Sequence, residues 1–540
     1  MRRALNVFST LGAAVRNQDV RRAELAWGGA IASEWAHFVA LGVFAYQRGG
    51  TSAVGIAGLV RLLPAAFVAP FAASFGDRFR RERFLLAIAL LGSAVLAASA
   101  AGAFMGSRIL VFAFAAVLGI SSTLFRPALQ ALLPSLARTP EELIASNGAT
   151  SIVESAGTLA GPVVAGVLVA VADVGSVFVV GAGALLAAAA CLARVEVEGR
   201  VSVTAADGVT ARQTLARGLD AAVRDGNTRL VVGLTTAQAF VRGCLNVLIV
   251  VTVFRVLHGS AADVGYLTAA LGLGGLAGAV GAMRLDWRRL AVPFGLALVF
   301  WGLPIAVLAA RPQLVAAMVL LAVVGAANSV EDVAVFTLLQ RIVPDEVLSG
   351  VLGVVWGVAM GAVAIGSFAT PAVVAAAGSR WAFVIVGAIL PLLAVVTYSP
   401  LAEIDRTNAP APELELIEGV PMFSPLSLAA KERIAAHLVP VTASPGELVI
   451  RAGDRGDRFF IVGDGELDID AAGKHSTAHR ADYFGEIALL RDVPRTATVT
   501  ASADSHLYAL GRDDFLAAVT GHSVAREAGE AVAEARLAGA

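Results

Sequence analysis

Charge is scarce in this chain. Only 15% of its 540 residues are Asp, Glu, Lys or Arg, against about 25% in a typical soluble domain. Cysteine is scarcer: Cys191 and Cys244 are the only two, and both fall in apolar runs. They build no disulfide framework and match no metal-ligand spacing, so no resident metal or cofactor is expected. The chain has no phosphate-binding P-loop, no nucleophile elbow and no zinc motif, which removes the common enzyme readings. Its N-terminus lacks the apolar core and small-residue cleavage site of a secretory signal. Residues 1–23 read as a cytoplasmic leader. Leu5, Phe8, Leu11 and Val15 share one helical face among arginines, which fits a helix on the inner membrane surface or a plain disordered segment.

What the chain has in plenty is apolar surface. It is 57% hydrophobic with a mean hydropathy of +0.76. Between Glu24 and Tyr398 the sequence predicts twelve membrane spans: 24–46, 53–75, 84–104, 108–130, 143–171, 175–194, 229–257, 262–283, 290–310, 313–339, 346–376 and 380–398. Each approaches the roughly 20 residues that a spanning helix needs. Arginines gather after span two (Arg78, Arg80, Arg81, Arg83), after span eight (Arg284, Arg288, Arg289) and in the loop 195–228. Positive-inside counting therefore puts both termini in the cytoplasm, with the protein multi-pass in the plasma (inner) membrane. Val54-Gly55 recurs as Val264-Gly265, Arg78 as Arg288, Phe84 as Phe294, and Gln130 with Pro134 as Gln340 with Pro344, all at one spacing. The spans thus fall into two six-helix repeats, 24–194 and 229–398. Within the connecting loop 195–228, Thr210 to Asp225 is amphipathic enough for a surface helix.

After the last span the texture changes. Residues 399–413, with Asn408-Ala409-Pro410-Ala411-Pro412, read as an extended linker. Residues 414–437 read as helix. Short strands then alternate with Gly-Asp turns, and a strand from Val499 to Leu510 precedes a helix starting at Phe515. That rhythm predicts a small cytosolic β-roll domain over 414–525 with flanking helices, and a tail at 526–540. The fold class is a mainly α membrane protein carrying this β-roll at its C-terminal end. The tail domain is acidic and the membrane part basic, so nucleic acid is not an expected partner.

The most specific stretch runs from Phe484 through Gly485-Glu486-Ile487-Ala488 to Pro494-Arg495-Thr496 and Val499. Chemically it is an anion site. Glycine lets backbone approach a ligand, and arginine supplies a charge-assisted fork for phosphate oxygens. The stretch resembles the phosphate-binding cassette of cyclic nucleotide-binding domains. That resemblance implies that Gly485, Glu486, Ile487 and Ala488 hold the ribose and phosphate, that Arg495 pairs the cyclic phosphate, and that Thr496 sits beside it. The implied ligand is cAMP or cGMP. The tail after Phe515 offers no aromatic residue to stack on a base.

Residues 20–400 resemble the major facilitator superfamily. Ser74-Phe75-Gly76-Asp77-Arg78-Phe79-Arg80-Arg81 looks like the loop signature between spans two and three, although Arg80 stands where glycine is common. Asp77, Arg78 and Arg81 are then gating candidates. Gly157-xxx-Gly161-Pro162-xxx-Gly166 resembles the antiporter signature of proton-coupled drug exporters. Small residues there let helices approach, and proline bends the helix where the halves rock. Phe125-Arg126-Pro127-Ala128-Leu129-Gln130 looks like the macrolide and siderophore exporter branch.

Charges inside spans are costly and mark either structural pairs or function. Glu34, His37, Arg126, Glu154 and Asp332 are the coupling or substrate candidates. Glu34 leads them, because a carboxyl in an apolar site titrates nearer neutrality. The resulting expectation is a proton-coupled exporter of small lipophilic molecules, regulated by a cyclic nucleotide, working in a lipid bilayer with no oligomer required. The alternative from another class is a nucleotide sensor or tether whose membrane part no longer transports. A nucleotide-gated channel finds no carbonyl filter and no voltage helix in the sequence.

Overall fold

The computed structural model describes residues 17–71, 80–136, 140–195, 211–282, 290–310, 313–407, 413–423, 426, 428–520 and 523–539. The first sixteen leader residues, the loop residues Asp77 and Arg78, the basic loop 284–289 and the spacer 408–412 lie outside them. The chain divides into two compact units, Met1–Thr407 and Asn408–Ala540.

The first unit is helical. α1 (Gln18–Val68) begins where the Asn17 side chain accepts from the Asp19 and Val20 amides, while its own amide group donates to the Leu136 carbonyl at 3.0 Å. It breaks at Gly49 and Gly50. Gly50 has φ +63, a turn that a side chain would resist. There follow α2 (Arg81–Phe104), α3 (Arg108–Leu136), α4 (Pro140–Val171) and α5 (Val174–Leu192). α6 (Ala211–Arg224) is the amphipathic loop helix. α7 (Gly226–Val251) is capped by Asp225 and passes into a π turn, Thr252–Val256. Next come α8 (Ala261–Ala282), α9 (Ala291–Val307), α10 (Leu314–Ile342) and α11 (Asp345–Val396), the last broken at Gly378. Among the described residues nine helices are long and apolar enough to cross a membrane, the two broken ones included; Ala291–Val307 is apolar but shorter.

Small residues set the packing, as expected where lipid supplies no hydrophobic drive between helices. A Cβ on Gly157 would strike Ile31, and one on Gly161 would stand 2.5 Å from the Ala32 carbonyl oxygen, so α4 lies directly against α1. The two groups of helices meet at a matched pair of contacts. Gly265 of α8 is pressed on α4, 2.5 Å separating its would-be Cβ from the Pro162 carbonyl oxygen. Gly55 of α1 is pressed on α11, with 2.7 Å to a Pro371 ring carbon. Gly55 and Gly265 are the glycines that recur in the sequence.

The expected linker is only partly a linker. α12 (Tyr398–Thr407) is helical and belongs to the first unit. Leu401 and Ile404 are buried. The Asp405 carboxylate accepts from the Leu290, Ala291 and Val292 amides at 2.9, 2.9 and 3.0 Å, capping α9. The proline-rich spacing had masked a short amphipathic helix whose apolar residues recur every three or four positions.

The second unit opens with α13 (Leu414–Glu418) and α14 (Leu428–His437) rather than one helix over 414–437. Two antiparallel four-stranded sheets follow, built from β1 (Val439–Ala443), β2 (Leu448–Ile450), β3 (Arg458–Asp464), β4 (Leu467–Ala471), β5 (Lys474–Ala478), β6 (Tyr483–Phe484), β7 (Thr498–Ala501) and β8 (Ser505–Gly511). Their orders are β1-β8-β3-β6 and β2-β7-β4-β5. Phe460, Val462, Leu467, Phe484, Val499 and Leu507 form the core between them. The predicted strand from Val499 to Leu510 is two strands, because the turn around Asp504 sends the chain from one sheet to the other. α15 (Glu486–Arg491) interrupts the roll, and α16 (Arg512–Thr520) packs Phe515 on Phe459 with ring centres 4.8 Å apart. The expected tail is a helix, α17 (Ser523–Gly539).

Candidate functional site

In the second unit the cassette residues gather around Gly485 and Arg495. β6 ends at Phe484, and Gly485 turns the chain with φ +92 into the short α15. Glycine is required twice over: the conformation is left-handed, and a Cβ would stand 2.5 Å from Arg495 Nη1. Arg495 is buried and held by the backbone. Its Nη1 donates to the Gly485 carbonyl at 3.1 Å and its Nη2 to the Arg458 carbonyl at 2.7 Å, with Asp457 Oδ1 3.6 Å away. Gly456 faces Ala488 so closely that a Cβ on the glycine would stand 2.7 Å from the Ala488 methyl. Ile487 is half-buried, and Thr496 is exposed beside Arg495.

Glu486 is 1% exposed. Its Oε1 accepts from Arg536 Nη1 at 2.8 Å, while its Oε2 is buried with no hydrogen-bond partner. Burial pushes the Glu486 carboxyl above the usual carboxylate range, and the Arg536 guanidinium pulls part of the way back. Arg536 comes from α17, donates also to the Tyr483 carbonyl at 3.0 Å, and lies over the Tyr483 ring at 4.5 Å. Burial likewise raises the Tyr483 phenol, with Arg536 opposing. An orphaned buried carboxylate oxygen beside a backbone-fixed guanidinium asks for a ligand that offers a hydroxyl and an anion within a few ångströms of each other. A sugar joined to a phosphate has both, so the residues present fit a cyclic nucleotide. Arg536 and Tyr483 escaped the sequence reading. The tail carries no aromatic base-stacking residue; its contribution is a cation that shares helical spacing with Glu527, Glu530 and Glu534.

In the first unit the expected coupling residues fall into pairs. Glu34 is not an isolated carboxyl: Arg61 Nη2 lies 3.1 Å from its Oε1. Glu34 is thus half of an ion pair rather than a lone group in an apolar site. Arg126 of α3 and Glu154 of α4 approach to 3.3 Å. Asp332 of α10 accepts from Asn328 Nδ2 at 2.9 Å and lies within electrostatic reach of Arg126, Glu154 and Arg242. Arg126, Glu154 and Asp332, distant in sequence, thus lie within electrostatic reach of one another. His37 stands apart. It is buried, neither ring nitrogen has a partner, and Phe178 lies 5.4 Å from it. Gly157 and Gly161 seat α4 beside the Glu34 stretch, and Pro162 meets Gly265 across the seam. Arg81 is the first residue of α2.

Comparison with known proteins agrees with this division. Residues 440–522 match the cyclic nucleotide-binding domain. Over 102 residues the chain is 38% identical to a cAMP-dependent protein kinase regulatory subunit of Yarrowia lipolytica, covering 18% of this chain and 27% of that protein. The corresponding subunit of Dictyostelium discoideum is 38% identical over 110 residues, covering 19% and 34%. The chain therefore spans about a quarter to a third of the curated relatives it matches. A solved structure described as Sp-2Cl-cAMPS bound to PKAR CBD2 is 31% identical over 19% of this chain and 70% of its own, with a TM-score of 0.18. The larger match covers residues 27–226 and 231–445 and is to the Major Facilitator Superfamily. The protein belongs to that superfamily, as a multi-pass membrane protein with a cyclic nucleotide-binding domain at its C-terminal end.

Proposed function

We propose that the protein is a secondary active transporter, a proton-coupled exporter of small lipophilic molecules, whose activity is set by cyclic nucleotide bound to its C-terminal domain. In this reading the protein lies in the plasma membrane with both termini in the cytoplasm, where cyclic nucleotides are made. The two broken helices count as two spans each and Ala291–Val307 as one, giving two six-helix halves. The observation that carries the regulatory part is the orphaned Glu486 Oε2 beside the fixed Arg495, on a chain whose larger part is a superfamily transporter. Arg495 would pair the cyclic phosphate, Glu486 would accept from the ribose, and the exposed Thr496 would lie near the base. The relatives named for cAMP favour cAMP over cGMP.

The pairs in the membrane part favour rocking between two discrete arrangements. Matched glycine contacts at Gly55 and Gly265 give the halves a seam on which to move, and the offset at which these glycines recur supports an internal repeat. Glu34, Glu154 and Asp332 supply exchangeable carboxylates, each held by a partner that a proton would release. Ligand acts on transport only through its different affinity for the two arrangements. Reconstituted full-length protein, energised by a proton gradient, should expel lipophilic dyes at a rate that cAMP changes. Transport indifferent to cAMP would remove the regulation; cAMP binding without any transport would favour the sensor.

A further inference from the structure

Helix α9 starts without a cap of its own: Leu290 precedes it, and its side chain bonds no amide. The donors left open there are the amides of Leu290, Ala291 and Val292, since Pro293 has none. All three go to the Asp405 carboxylate of α12. α12 meets α9 a second time one turn on, where a Cβ on Gly295 would stand 3.2 Å from Leu401 Cδ1. α12 ends at Thr407, two residues after Asp405, and the second unit begins at Asn408. The start of a membrane helix is thus held by the segment that ties on the nucleotide-binding domain.

Three turns further along, α9 reaches the interior charges. Trp301 is buried, and its indole N–H donates to Asn328 Oδ1 at 3.3 Å. Gln238 of α7 donates to the same oxygen at 3.2 Å. An indole has no acceptor, so the Asn328 oxygen must face it and the amide nitrogen must face away. That nitrogen donates to Asp332 Oδ2 at 2.9 Å. Trp301 and Gln238 therefore set the direction of the Asn328 amide, and Asn328 holds one oxygen of Asp332. Between the two junctions α9 is tightly packed. Phe294 and Leu298 are fully buried, and a Cβ on Gly302 would stand 2.5 Å from the Gly387 carbonyl oxygen.

We propose, on the reading of the protein as a nucleotide-regulated transporter, that α9 is the element through which the nucleotide-binding domain acts on the membrane part, with Asp405 as its input and the Trp301–Asn328 hydrogen bond as its output on Asp332. Release of α12 leaves three amides without their acceptor at once, which favours a discrete second arrangement over a gradual one. A packed helix moves as a unit, so displacement at Leu290 reaches Trp301 and takes the indole off Asn328. Asn328 is then free to turn its amide, and Asp332 loses its fixed donor. Nucleotide selects between the two arrangements only as far as its affinity for them differs. Asn328 is a positioning residue in this scheme, and Asp332 is the group that it serves.

The test is hydrogen exchange of the full-length protein in nanodiscs, with and without cAMP, read by mass spectrometry over peptides that cover 290–307. cAMP should change exchange in the peptides that carry Leu290, Ala291 and Val292 by roughly threefold or more. Arg495→Lys should show no change at a cAMP concentration that saturates wild type alone. Trp301→Phe keeps an aromatic ring and removes the N–H. It should leave that exchange response intact while cAMP ceases to alter dye transport. Asn328→Ala, which cuts the same link from the other side, should do likewise and covers the case in which Trp301→Phe folds poorly. Exchange indifferent to bound cAMP would make Asp405 a passive cap and overturn the proposal. So would a full cAMP effect on transport in both variants. An exchange response in a wild type that expels no dye would sink the transporter reading and leave the link from nucleotide to α9 standing. Transport that responds to cAMP without any exchange response would sink the link and spare that reading.

Discussion

Arg536 and Glu486 are joined by a 2.8 Å hydrogen bond across 50 residues of chain, the arginine from α17 and the carboxylate from the cassette. The partners are unequal: the Glu486 side chain is 1% exposed and that of Arg536 40%. The arginine's role is thus to help keep a buried carboxylate ionised, at a strength of about 1 kcal/mol after solvent screening. Arg536→Ala should raise the Glu486 pKa further and make nucleotide affinity depend on pH. Calorimetry should find it several-fold weaker at pH 6 than at pH 8, with wild type nearly level.

Glu486 itself makes a prediction about stability. Its folded pKa lies above the ordinary value of 4.5 because burial disfavours the charge. A pKa raised by folding contributes stability that is complete below the unfolded value and is lost as pH rises through the folded one. Glu486→Gln, locked neutral, should therefore melt above wild type near pH 7 while binding nucleotide more weakly. The difference in melting temperature should close as pH falls below 4.5. A lower melting temperature at pH 7 would mean that the Arg536 pair outweighs the burial cost.

Arg495 is fixed by the Gly485 and Arg458 carbonyls before any ligand arrives. Arg495→Lys keeps a charge but loses the fork and strands one of those carbonyls. Affinity for cAMP should drop at least a hundredfold, about 3 kcal/mol, as expected when a desolvated charge pair is broken. Titration of the unit Asn408–Ala540 measures it.

Asp405 closes the N-terminus of α9 with three amide hydrogen bonds. Asp405→Ala should cost about 1–2 kcal/mol of local stability. Hydrogen exchange at Leu290, Ala291 and Val292 should accelerate by roughly five- to thirtyfold, the equivalent of that loss. Because α12 is the last helix before the nucleotide unit, the same variant should weaken the effect of cAMP on transport and leave cAMP affinity unchanged.

At the seam, Gly265 has no room for a side chain: a Cβ there would stand 2.5 Å from the Pro162 carbonyl oxygen and 2.7 Å from Gly166 Cα. Gly265→Val should therefore insert in the membrane but fail to transport. Full transport by that variant would show that the close contact between α4 and α8 is not needed for the transport cycle.

The sequence by itself determined the solvent of each part and the chemistry of one site. Lipid forces backbone bonds to close within a helix, so spans announce themselves as long apolar runs. The cassette is contiguous, with Gly485, Glu486 and Arg495 within a dozen residues, and its chemistry was legible for that reason. The helix α12 was not, since proline and serine at its start read as a breaker although Leu401 and Ile404 bury. Only the tertiary structure decided which charges meet. Arg61 and Glu34 lie 27 residues apart on two arms of one broken helix, and Arg536 reaches Glu486 from what the sequence offers as a tail. Pairing of this kind depends on where helices cross, which the pattern of apolar residues constrains by face and not by height. A carboxylate that looks solitary in sequence therefore acquires its counter-charge, and with it its role, only when the helices pack.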